Sequence, residues 1–224
     1  MVEFEGFIFD DKLYERPTLF SCLMVVTSLR SFRQCLGRKV LILGDVRTGK
    51  TKITAKLLNE ALRAGHESEI TVIDLAPAAT KVRGRKIGGR LFELMALPKE
   101  LRYLAPAEVE TPRLSASSSS QLLALARANH EAVTPLLRQF LAALSPILFV
   151  NDISIYFHSG TPDLMFEAAE RAETFVGNGY YGEYFAFDHG TGVSERERKL
   201  MDLFAAKMDT VINLQKGQAG SPRV

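Results

Sequence analysis

The octet Gly44-Asp45-Val46-Arg47-Thr48-Gly49-Lys50-Thr51 follows directly on the apolar run Val40-Leu41-Ile42-Leu43, and this junction constrains the chain more than any other segment. Its spacing is G-x-x-x-x-G-K-[ST]. In that pattern the glycines let backbone N–H groups curl around a phosphate, the lysine reaches the β- and γ-phosphates, and the final hydroxyl ligates Mg²⁺. Ile53, Leu57, Leu58 and Leu62 fall at helical spacing just after Thr51, which predicts a helix whose N-terminus adds partial positive charge. Strand, glycine loop and helix thus come in the required order. All eight residues, Gly44 to Thr51, are candidate nucleotide ligands, with Lys50 a candidate catalytic group and Thr51 a candidate Mg²⁺ ligand.

A chain of 224 residues, 46% of them hydrophobic, can bury one ordinary core with a small appendage. Its 28 basic and 26 acidic residues nearly cancel, so net charge alone calls for neither nucleic acid nor a membrane surface. Cys22 and Cys35 are the only cysteines and have no metal-ligand spacing, as expected of thiols in a reducing cytosol. The apolar stretch Leu19 to Thr27 is far short of the roughly 20 residues that span a bilayer. The expectation is a cytoplasmic protein without a membrane partner.

Three segments follow from the pattern. Residues 1–36 read as an N-terminal extension, with an edge strand over Val2 to Phe9 and a helix beginning after Pro17 and running to Leu36. Residues 37–214 form the nucleotide-binding domain, with strands at Val40–Leu43, Ile70–Ile73, Ile147–Val150, Thr174–Val176 and Thr210–Leu214. Helices are expected over Gln121–Leu144, Pro162–Glu173 and Glu195–Met208, and residues 215–224 read as a disordered tail. Strands alternating with helices predict an α/β fold, a three-layer α/β/α sandwich with a mostly parallel sheet and the ligand at the carboxyl ends of the strands.

Two carboxylates sit at predicted strand ends. Asp152 follows Ile147–Val150, where a phosphoryl-transfer site needs an acid to hold Mg²⁺; the competing reading is a turn cap. Asp74 ends the strand after the loop's helix and is a candidate to orient the attacking water, ligate Mg²⁺ or act as base, again against a capping role. Asn178, in Gly177-Asn178-Gly179, is the candidate base contact, with a turn residue as the alternative. No Asn-Lys-x-Asp tetrapeptide occurs to bind guanine, which places ATP ahead of GTP. Lys81, Arg83, Arg85, Lys86 and Arg90 put five positive charges into ten residues. They are candidates for an arginine finger or for a nucleic-acid or protein partner, against a solvated face.

The octet, the strand Thr71-Val72-Ile73-Asp74 followed by Leu75-Ala76-Pro77-Ala78-Ala79, and the strand ending at Asp152 resemble the P-loop NTPase class of signal recognition particle GTPases, GPN-loop GTPases and polynucleotide 5′-hydroxyl kinases. Ala76 stands where the GPN-loop proteins carry an acid. The resemblance implies a Mg²⁺-dependent NTPase whose hydrolysis drives a conformational switch. The alternatives are a kinase acting on an acceptor such as a polynucleotide 5′-hydroxyl, and a nucleotide-binding module without turnover. It also implies that Asp74 lies beside the γ-phosphate.

Overall fold

The computed structural model describes residues 31–82 and 85–214. The strand expected over Val2 to Phe9, the expected helix up to residue 30, Cys22, Arg83 and the tail 215–224 lie outside the described residues; over 31–36, where the sequence reading carries that helix on to Leu36, the chain instead forms a short 3-10 turn. The described residues form strands β1 (Lys39–Gly44), β2 (Ile70–Asp74), β3 (Thr80–Val82), β4 (Arg85–Ile87), β5 (Arg102–Leu104), β6 (Ile147–Asn151), β7 (Thr174–Tyr180) and β8 (Thr210–Leu214) and helices α1 (Lys50–Arg63), α2 (Pro112–Ser115), α3 (Ser119–Ala142), α4 (Asp163–Arg171) and α5 (Val193–Ala205), with β2 to β5 consecutive. Six strands form one sheet in the order β5-β2-β6-β7-β1-β8, every neighbouring pair parallel.

Period-2 alternation divides the strands between two cores. Val40, Ile42, Ile70, Val72, Ile147, Phe149, Val176 and Ile212 face α1, whose Ala55, Leu57, Leu58 and Ala61 complete that layer. Leu41, Leu43, Ile73, Leu148, Val150, Phe175 and Val211 face α3, α4 and α5 on the other side. Being covered on both faces, the strands read as continuous apolar runs. This is the three-layer α/β/α sandwich with a parallel sheet.

At the described start of the chain, Phe32 stacks on Phe149 with ring centroids 5.9 Å apart and Cys35 is fully buried. Burial pushes the Cys35 thiol up to about 12. This segment is a 3-10 turn, Phe32–Gln34, that packs into the α1-side core. Ser118 caps α3 by accepting from Gln121 N, and the helix continues through Pro135. No helix among the described residues is long and apolar enough to cross a membrane.

Candidate functional site

The octet forms the turn between β1 and α1. Gly44 closes β1, Gly49 adopts φ 95° at the helix start and Arg47 also has positive φ. A Cβ on Gly44 would sit 2.6 Å from Thr48 Oγ1 and 2.8 Å from the Leu214 carbonyl, so only glycine fits between the loop and β8. Thr48 donates its hydroxyl to the Asp45 carbonyl at 2.9 Å, bracing the loop. At the start of α1 the first backbone N–H groups have no intrahelical acceptor, which makes this end suited to an anion.

Lys50 is not aimed at open solvent. Its Nζ donates to the Gly44 and Asp45 carbonyls, each at 2.8 Å. Burial lowers its ammonium below the usual lysine value, while the carboxylates of Asp152, Asp45 and Glu197 oppose that shift. Lys50 and Asp152 therefore share one electrostatic site although 102 positions separate them.

Asp152 lies one residue beyond β6, in left-handed backbone at φ 63°, a conformation disfavoured for a non-glycine residue. Two contacts hold it there. Its N–H donates to Asn178 Oδ1 at 3.1 Å, and its Oδ1 accepts the Ser154 hydroxyl at 2.6 Å. Burial raises the Asp152 carboxyl above its ordinary range, and the Ser154 hydrogen bond and the Lys50 charge oppose the shift.

Asn178 corrects the sequence reading. β7 runs through it to Tyr180, so it is no turn residue, and its side chain is 1% exposed. Its two amide hydrogens go to Thr54 Oγ1 and Asn151 Oδ1, both at 2.8 Å, and its oxygen accepts from Asp152. Both donors are used and the side chain is buried, so it is not placed to contact a base. Its place is in a buried row of amides beneath the site, between α1 and Asp152.

Asp74 is corrected as well. In the sheet order β2 is separated from β1 by β6 and β7, so Asp74 is not beside the loop as the resemblance implies. Its Oδ1 accepts from Ala76 N (3.2 Å) and Asn151 Nδ2 (2.8 Å), and its Oδ2 from Leu91 N and the Tyr103 hydroxyl (both 2.6 Å). A carboxylate has about four acceptor sites, and all are occupied. Burial and the Asp74 charge push the Tyr103 hydroxyl well above its usual range, so it stays a donor. Asp74 is a structural clasp joining β2, β5, β6 and the chain at Leu91.

Of the basic cluster, Arg90 donates Nε to the Ala76 carbonyl at 3.2 Å and Nη2 to that of Pro106 at 2.8 Å. It holds two loops together. Lys81, Arg85 and Lys86 lie on the antiparallel ribbon β3–β4.

Spacing gave no hint of a second cluster. Arg113 of α2 donates to Glu197 of α5 through Nη1 (3.2 Å) and Nη2 (2.7 Å), and His158 Nε2 also meets Glu197 Oε2. All three side chains are at most 6% exposed. Three segments scattered over the sequence build this group, and only the fold unites them.

Two cavities open beside the site. One, about 60 Å³, is lined by Asp152, His158, Arg113, Thr111, Pro77 and Gly88 among others. The other, about 290 Å³, lies among Tyr180, Tyr181, Phe185, Arg113, Glu197 and Arg198. The latter abuts the loop, since Tyr181 N donates to the Gly44 carbonyl at 3.0 Å and a Cβ on Gly182 would lie 2.5 Å from the Asp45 carboxyl carbon.

Mg²⁺ is commonly held in phosphate sites by one or two carboxylates together with phosphate oxygens, and Asp152 is a carboxylate that shares its surroundings with Lys50. Among the described residues no cluster of three or more His, Cys, Asp or Glu offers a cage made of protein alone.

No protein-family model and no curated protein matches this sequence. Among solved structures the chain is similar to the flagellar accessory protein FlaH from Methanocaldococcus jannaschii, at TM-score 0.47 and 11% identity over 80% of this chain and 71% of that one. It is also similar to the Pif1 helicase from Candida albicans, at TM-score 0.36 and 15% identity over 83% of this chain and 38% of that one.

Proposed function

We propose that the chain binds a nucleoside triphosphate at Gly44–Thr51 with Mg²⁺ and hydrolyses it, with ATP ahead of GTP. One observation carries this reading: the Lys50 ammonium is held over the loop with the Asp152 carboxylate among its charge partners. A phosphate entering the loop offers Lys50 stronger, charged acceptors than the two carbonyls it meets now. Mg²⁺, when bound, neutralises charge on the β- and γ-phosphate oxygens. Thr51 would ligate it, and Asp152 would hold it or take a proton from the attacking water. The absence of Asn-Lys-x-Asp supports ATP.

The loop following β7 is tied to the octet through Tyr181 and Gly182. A change in phosphate occupancy is thereby transmitted to residues 181–192, a route for a conformational switch. A second reading, phosphoryl transfer to a hydroxyl acceptor, is favoured by the cavity of about 290 Å³, large enough for more than a water molecule.

Titration with ATP and GTP, with and without Mg²⁺, followed by product analysis with and without RNA or DNA ends, tests both readings. Free phosphate supports hydrolysis, and a labelled acceptor supports transfer. Tight binding without any product supports a module without turnover, and no binding of either nucleotide overturns the proposal.

A pH profile adds a sharper check. The raised Asp152 carboxyl is charged only above its shifted value and loses that charge as pH falls through it. The lowered Lys50 ammonium loses its charge as pH rises through its own shifted value. kcat/KM is expected to be bell-shaped, with its acid limb above the ordinary aspartate value of about 3.9 and its alkaline limb below the ordinary lysine value of about 10.4. Asp152→Asn should remove that acid limb; an unchanged limb in the variant would exclude Asp152 as its source.

A further inference from the structure

The larger cavity lies at the end of the octet where the outer phosphates belong. Lys50, the residue that in such loops reaches the β- and γ-phosphates, donates Nζ to the Gly44 carbonyl at 2.8 Å, and Tyr181 N donates to that same oxygen at 3.0 Å. One carbonyl thus ties the lysine to the cavity wall. Gly182, next along that wall, lies against Asp45, whose own carbonyl is the second acceptor of Lys50 Nζ.

The wall is held in place by its own hydrogen bonds. The Tyr180 and Phe185 rings lie 5.1 Å apart, and Phe185 N donates to the Tyr180 hydroxyl at 2.9 Å. Ser194 donates its hydroxyl to the Phe185 carbonyl at 3.0 Å, and Arg198 donates Nη2 to the Gly182 carbonyl at 2.9 Å. The Arg113 guanidinium, fixed on both oxygens of Glu197, stands 4.9 Å from the Phe185 ring centre and 5.2 Å from that of Tyr180. That of Arg198 stands 4.7 Å from the Tyr181 ring centre. Aromatic rings and guanidinium planes are the surfaces on which unpaired bases stack.

The charges of the lining select further. Glu197 is taken up by Arg113 and His158, whereas Glu183 and Glu195 are exposed and their carboxylates have no partner among the described residues. With three carboxylates against two guanidiniums, the lining is negative on balance. It repels a phosphate group and suits hydroxyls, which donate to carboxylates. At about 290 Å³ the cavity stands at the small end of ligand sites, the size for one small molecule.

We propose that this cavity binds an uncharged nucleoside, with its base against Tyr180, Tyr181 and Phe185, its 2′- and 3′-hydroxyls toward Glu183 and Glu195, and its 5′-hydroxyl toward the octet. This rests on the phosphoryl-transfer reading above and names its acceptor. The 5′-oxygen bonds to the γ-phosphorus as the bond from that phosphorus to its bridging oxygen breaks; ADP leaves with that electron pair, and the hydroxyl proton passes to water. A polynucleotide end would bring further phosphates against Glu183 and Glu195, so the lining disfavours it.

Calorimetric titration of the full chain with the common ribonucleosides, without ATP, tests the site. At least one is expected to bind, about tenfold or more tightly than its 5′-monophosphate or its 2′,3′-dideoxy analogue. The double variant Glu183→Gln, Glu195→Gln, altered only at exposed positions, should bring the nucleoside and its monophosphate to within about threefold of each other. Tyr181→Ala should weaken nucleoside binding about tenfold, in line with the loss of one stacked base. Tyr181→Phe, which gives up only the hydroxyl bond to Asp202, should bind like wild type. With ATP and Mg²⁺, the bound nucleoside should become its 5′-monophosphate. Lys50→Ala should bind the nucleoside normally and form no product, so a failure of the triphosphate reading and a failure of the cavity are separable. No binding of any ribonucleoside, a monophosphate bound as tightly as its nucleoside, indifference to both Tyr181→Ala and the glutamine pair, or ADP and free phosphate formed with the nucleoside unchanged would each overturn the proposal.

Discussion

Lys50→Ala is expected to abolish the stabilisation that Mg²⁺ and ATP confer on the wild-type chain. At a ligand concentration of 100 Kd that stabilisation is about 2.7 kcal/mol, or a thermal shift of about 5–10 °C for a domain of this size. The variant should show no shift. Without ligand, both proteins should melt within a few degrees of each other. The lysine's present partners are the Gly44 and Asp45 carbonyls at the loop surface, and removing a partly desolvated ammonium offsets part of the loss of those bonds. Differential scanning fluorimetry across an ATP titration decides the matter. Equal shifts in the two proteins would remove the octet from the account of nucleotide binding.

Asp74→Ala is expected to act on the fold, and strongly. Four donors, from Tyr103, Leu91, Ala76 and Asn151, lose their acceptor in a position with no exposed surface. Each buried unsatisfied group costs about 1–3 kcal/mol. Some relaxation and water entry are expected, so a net loss of about 4 kcal/mol is anticipated, a large part of the total stability of an ordinary domain. Urea unfolding at fixed pH measures it. A catalytic Asp74 would behave in the opposite way, with an unchanged midpoint and lost turnover, and that outcome would restore the reading the sequence first suggests.

The strands of the parallel sheet were legible because burial on both faces leaves continuous apolar runs, and the octet was legible because its backbone geometry demands particular residues at particular spacings. The ribbon β3–β4 and the edge strand β5 were not. Each is three residues long, too short for periodicity to register. Strand order was equally out of reach, since nothing local in Thr174–Tyr180 says that it inserts between β1 and β6. Together with β6, that insertion sets two strands between Asp74 and the loop, and it makes Asn178, an apparent turn residue, a core one. Arg113, His158 and Glu197 were silent for the same reason: their meeting is a property of the tertiary structure alone.

The row of side chains from Asp74 to Asp152 has a direction. An ionised carboxylate can only accept, so the NH₂ end of Asn151 must face Asp74 and its oxygen must face Asn178. Asn178 must then point its own NH₂ at Asn151 and its oxygen at the Asp152 N–H. Each amide is thus oriented by the one before it, like cars coupled behind an engine. The absolute orientation of the group that holds Asp152 in its left-handed turn is dictated by a carboxylate two strands away that never touches it. Because amides do not titrate, the two links between Asp74 and Asp152 carry no proton that could come or go, and the steering passes through them as direction alone.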